Sequence, residues 1–147
     1  MSVWFESESE LNCSLATVAD KTQDISVFIP AVVALMPGIT RAELVRHDET
    51  SVEIKTNEGI MLRKNFVRNE TETKLTIEFN ESYQAASAIT ANSHHRHEFA
   101  IAGEYATHKL TISDVNAKGI LGWLYRTFGG RNIGKAIMAA NKDYLES

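Results

Sequence analysis

One cysteine, two prolines and no long apolar run set the first limits on this chain. The lone Cys13 excludes an internal disulfide and fits a reducing compartment. So few prolines, with 8 glycines, exclude a collagenous or linker-rich protein. The most apolar stretch, Val27 to Met36, is about half a membrane span and is broken by Pro30, so no stable membrane insertion is expected. The opening MSVWFESESE lacks a basic segment leading into an apolar run. No signal peptide is readable there, and the expected location is cytoplasmic. Positive charge is short too: 15 Lys+Arg against 19 Asp+Glu leave a net charge of −4. That balance argues against a nucleic-acid partner, which calls for a basic stripe.

Chemical motifs are equally scarce. Gly129-Gly130-Arg131 is too short for a phosphate-cradling loop. The run His94-His95-Arg96-His97 does not space two histidines for one helix face, and on a strand adjacent residues point to opposite sides. No nucleophile-elbow serine or local Cys–His arrangement is readable. These absences lead us to expect no metal and no cofactor.

What is present is a chain of 147 residues, 44% apolar and 23% charged, read as a single domain over 1–147 with a sizeable core. Its organising stretch is Lys118 to Ser147, an amphipathic helical pattern interrupted at Gly129–Gly130. Ile120, Leu121, Leu124 and Phe128 share one face; Ile133, Ile137, Tyr144 and Leu145 share another. A bend at the glycines lets both stripes meet one core. Nearly everything before it alternates with period two. Residues 3–18 read as one half-buried strand, with Val3, Phe5, Leu11, Cys13 and Leu15 on the apolar side. Asp20 then looks like the cap of a short helix to about Phe28, and Pro30 like the first turn of a second that stops before Pro37-Gly38. Six strands follow, at Ile39–Arg46, Ser51–Thr56, Ile60–Arg68, Thr73–Asn80, about Gln84–Ile101 and Glu104–Val115. Short polar loops between them signal a meander of hairpins.

Three stretches carry a family resemblance: Pro37-Gly38-Ile39, the hairpin Phe99 to Thr107, and Lys118-Gly-Ile-Leu-Gly-Trp-Leu-Tyr125 running into the terminal helix. On these the chain resembles the START/SRPBCC superfamily of helix-grip proteins, and within it the polyketide cyclase/dehydrase and lipid-transport group. The resemblance implies an α+β fold. A seven-stranded curved antiparallel sheet wraps a long C-terminal helix, with two short helices between strands 1 and 2. It also implies a cavity between sheet and helix. Fold leaves function open.

Strand parity nominates inward polar residues. A two-residue turn at Ala102–Gly103 pairs Phe99 with Ala106, His97 with His108, and His95 with Leu110. Phe99 and Leu110 are the apolar parity, so His95, His97 and His108 should face the helix as well. His97 and His108 would then be cross-strand neighbours about 5 Å apart at Cβ. Such histidines suit ligand contact or proton transfer near neutral pH. They equally suit a wet cavity wall, and a metal site would need a third suitably placed ligand. In the preceding hairpin, pairing Arg68 with Thr73 sets Phe66 opposite Leu75 and Lys64 opposite Ile77. Lys64 then becomes a lone inward cation, an anchor for a polar ligand head or a side chain reaching to solvent. Trp123 and Phe128, in the first half of the terminal helix, either close the cavity mouth or simply pack.

The expected function is binding or transport of a small hydrophobic ligand (a lipid, a quinone or a polyketide-like compound) in that cavity. The expected contacts are His95, His97, His108, Lys64, Phe66, Phe99, Leu110, Trp123 and Phe128. Two other readings stand beside it. One is a cyclase/dehydrase-type enzyme that uses an inward histidine; the other is a protein-interaction module on the same scaffold.

Overall fold

The computed structural model describes residues 2–85, 89–117 and 129–147. Strand β1 (Val3–Leu11) is followed by helices α1 (Leu15–Lys21) and α2 (Ile25–Ala34). Strands β2 (Ala42–His47), β3 (Val52–Thr56), β4 (Gly59–Glu70), β5 (Lys74–Ala85), β6 (Ile89–Ala102) and β7 (Tyr105–Ala117) come next. Helix α3 (Gly130–Leu145) lies near the C-terminus. The strands form one seven-stranded sheet in the order β1-β7-β6-β5-β4-β3-β2, and every pair is antiparallel. Five consecutive neighbours form the meander that the alternating pattern foretells. Helices α1 and α2 carry the chain from β1 to β2 at the opposite edge, so the meander ends with β7 beside β1.

The start of the chain departs from what alternation predicts. The strand ends at Leu11, not near residue 18, because Ser14 turns the backbone and caps α1 by accepting the Thr17 amide at 3.2 Å. Leu15, Val18 and Thr22 are buried at helical spacing, which mimics alternation over the short stretch where the two periods agree. Asp20, expected to cap the first short helix, lies inside α1, and Asp24 caps α2 by accepting the Ser26 amide. That helix runs through Pro30, which lies inside it rather than in its first turn and forgoes one bond to the turn before.

Irregularities in β1, β2, β4 and β7 bend a sheet that would otherwise only twist. Its concave face buries Leu75, Ile77, Phe79, Phe99, Leu110 and Ile112. Helix α3 lies along this face in the same direction as β1. Gly134 abuts the Phe5 ring, Lys142 Nζ donates to the Glu10 carbonyl at 3.1 Å, and the Asn12 amide donates to Glu146 at 2.7 Å. Ile137 and Leu145 are buried and Ile133 and Tyr144 half-buried, the stripe read from the sequence. Tyr144 Oη donates to the Lys21 carbonyl at 3.0 Å and so ties α3 to α1. The first half of the expected terminal helix lies outside the described residues.

Candidate functional site

Between α3 and the sheet lies a cavity of about 430 Å³. Met61 and Tyr83 on β4 and β5 form one wall, Ile133, Ala136 and Ile137 on α3 the other. Met36 and Pro37, just after α2, close one side, and Asn132 and Glu58 stand among the polar lining. The remaining lining side chains, Arg63 and Glu81, are buried at 3% and 9% exposure.

Arg63 and Glu81 are direct cross-strand partners on β4 and β5, as are Met61 and Tyr83 one pleat further on. Arg63 Nε and Nη2 both reach Glu81 Oε1 at 2.9 Å. The guanidinium also lies 4.8 Å from the centre of the Phe79 ring. Burial is the largest influence on Glu81 and works against its charge, but the Arg63 guanidinium, through charge and hydrogen bond, and His95 together hold the carboxyl below its usual range. A buried pair of this kind is costly to form and costlier to break from one side.

Behind this pair the concave face carries the three histidines. His95 Nε2 meets Ser93 Oγ at 2.9 Å and lies 3.8 Å from Glu81 Oε2. His97 Nδ1 and His108 Nε2 are 2.9 Å apart, so one ring donates and the other accepts. The rings join an aromatic stack: Phe66 on Phe79 at 4.7 Å, Phe79 on His95 at 5.0 Å, and Phe99 on His108 at 4.6 Å between centroids. Burial drives the His95 imidazole down to about 4 despite the Glu81 carboxylate, and drives His108 down to about 4 as well. His97 is held well below the ordinary histidine range by burial and then by His108. All three are neutral at physiological pH.

No family model matches this chain, and no curated protein matches it in sequence. Solved structures do match. A conserved protein from Geobacillus kaustophilus superposes with a TM-score of 0.65 at 14% identity, over 96% of this chain and 91% of that one. The STAR-related lipid transfer protein from Xanthomonas axonopodis gives 0.61 at 12% identity, over 97% and 85%. Ara h 8.0201 gives 0.62 at 18% identity, over 96% and 95%. The fold these structures share with this chain is the helix-grip fold. At these identities the likeness is one of fold.

Within this helix-grip frame the expected site residues separate. His95, His97, His108, Phe99 and Leu110 face the helix, with Phe66 half-buried among them. None of the three histidines lines the cavity, however; at 2%, 3% and 0% exposure they are packed into the wall behind it. The register also differs by two residues. The turn is Gly103-Glu104, with Gly103 at φ +65°, so Phe99 is opposite His108 and His97 opposite Leu110. Because side chains alternate with period two, a two-residue slip leaves each one on its expected face. His97 and His108 thus touch as diagonal rather than direct neighbours.

Lys64 is the clear correction. It is exposed on the convex side, and the inward cation is its neighbour Arg63. The cause is a bulge between Lys64 and Val67, with Asn65 at φ +60°, which reverses parity along β4. Alternation counted back from Phe66 cannot register it. An asparagine, one of the residues that tolerates a left-handed backbone, was the available signal. Trp123 and Phe128 lie outside the described residues. Trp4 is half-buried and packs near Gly130. Among the described residues no group of three or more His, Cys, Asp or Glu is placed to hold a metal ion. No described helix is long and apolar enough to cross a membrane.

Proposed function

We propose that this chain binds a small hydrophobic molecule (a lipid, a quinone or a polyketide-like compound) in the cavity under α3. One observation carries the reading: an apolar-walled space of about 430 Å³ with, among the described residues, a single buried ion pair in its lining. Pockets of this size and character are the usual form of small-molecule sites. Burial of Met61, Ile133 and Ile137 against the guest supplies the driving force. Arg63, Glu81 and Tyr83 orient whatever polar group it carries. The name of the Xanthomonas axonopodis structure, a lipid transfer protein, supports the same reading.

The histidines serve this site from behind. His95 backs Glu81, and the His97–His108 pair fills the wall on which Phe79 and Phe99 stack. Their absence from the cavity lining favours binding over a cyclase/dehydrase reaction driven by an inward histidine. A neutral fluorescent aminoanthracene should bind the wild-type chain at one site. Ala136→Trp, which fills the cavity from α3, should abolish that binding while leaving the melting temperature within a few degrees. Undiminished binding by a folded Ala136→Trp protein would place the guest elsewhere.

A further inference from the structure

We infer that the cavity discriminates by charge, admitting amphiphiles with a neutral or cationic polar end and rejecting a free carboxylate or phosphate. This rests on the binding reading above and narrows it to a class of guest.

Arg63 is the only cation that lines the cavity among the described residues, and its charge is already matched. Two of its nitrogens converge on one Glu81 oxygen at 2.9 Å, and Phe79 covers the guanidinium at 4.8 Å. An anionic guest therefore has to compete with an ion pair formed in place, beside a carboxylate that repels it. The second charged group is Glu58, exposed among the lining residues. It accepts a hydrogen bond from Tyr83 Oη at 3.4 Å, and no described Lys or Arg forms an ion pair with it. Among the described residues, one guanidinium against two carboxylates leaves the lining net negative. A guest that places its polar end at the pair meets a self-neutralised contact. One that places it beside Glu58 meets an unmatched negative charge. Neither orientation rewards an anion, and both accept a hydroxyl, a carbonyl or an ammonium group.

The test uses the full chain and three probes with one alkyl tail: dodecanol, dodecylamine and dodecanoate, each displacing the neutral aminoanthracene near neutral pH and below its micelle-forming concentration. Dodecanol and dodecylamine should displace it at concentrations roughly tenfold or more below dodecanoate. Glu58→Gln should narrow that gap a few-fold, and so should added salt, because Glu58 is solvent-screened. Glu81→Gln keeps the shape but releases the Arg63 charge, so dodecanoate should gain about tenfold on dodecanol. Dodecanoate matching dodecanol in the wild-type chain overturns the charge selection and leaves cavity binding standing. A ratio that neither glutamate variant moves overturns it equally. Displacement by none of the three overturns cavity binding, and the charge selection with it. If Glu81→Gln does not fold, the wild-type series and Glu58→Gln decide alone.

Discussion

At the scale of single residues, the consequential groups are charges and imidazoles enclosed by the sheet. Glu81→Ala strands the Arg63 guanidinium in a wall where it is 3% exposed. That change should cost about 3–5 kcal/mol in urea unfolding. Lys64→Ala, one residue along but on the convex side, should stay within about 0.5 kcal/mol of wild type. The contrast tests the bulge at Asn65 directly: equal effects would mean that β4 keeps its parity through that residue. The histidines make a second prediction. His95 and His108 titrate near 4 in the folded chain, against about 6.5 when unfolded. Between those values the unfolded chain binds more protons, so folding stability rises with pH. The full contribution is present above about pH 6.5 and drains away as pH falls toward 4, by up to about 3 kcal/mol per histidine. Glu81, itself held low, adds to the loss below about 4.5. Urea midpoints measured across this range should show the slope, and His108→Gln should flatten it. A midpoint constant from pH 7 to 4 contradicts neutral burial of these rings.

Among secondary-structure elements, the seat of α3 on β1 sets how the helix stands over the sheet and hence the space between them. Gly134 makes it possible, since a Cβ there would run into the Phe5 ring. Gly134→Ala gains up to about 1 kcal/mol of helix propensity, yet should destabilise the fold by about 1–3 kcal/mol through overpacking. Adding Phe5→Leu should recover part of the loss, and a double-mutant cycle with no coupling would place the clash elsewhere. This joint is only half legible in the sequence. The apolar stripe Ile133–Ile137–Leu145 marks the buried face of α3, because helical periodicity survives any docking angle. That Gly134 is needed against Phe5 is a contact between distant parts of the chain, and no local pattern carries it. The same division holds in the hairpins. The facing of His95, His97 and His108 is readable from alternation. Their pairing is not, because the choice between Ala102–Gly103 and Gly103-Glu104 turns on which residue takes the positive φ. The cap at Ser14 is hidden for a related reason: Leu11, Cys13 and Leu15 continue the alternation of β1 across the very point where the chain turns.

For the molecule as a whole, the order of strands, two short helices and a terminal helix is recoverable from the sequence, and with it the helix-grip architecture. The cavity is not. Its lining is drawn from β4, β5, α3, Glu58 and the residues after α2, which meet only once the sheet has curved. Of the expected contacts among the described residues, His95, His97, His108, Phe66, Phe99 and Leu110 are wall rather than lining and Lys64 faces away, while Arg63, Glu81 and Tyr83 carry no signal in the sequence because each looks like an ordinary strand residue. The proposed binding function therefore requires that a guest occupy the space between helix and sheet. Native mass spectrometry of freshly purified protein, wild type beside Ala136→Trp, tests this most directly. A one-to-one adduct with a hydrophobic small molecule, co-purified or supplied as aminoanthracene, is expected on the wild-type chain and none on the folded variant. Equal adducts on both, or none on the wild type with the probe in excess, would contradict it.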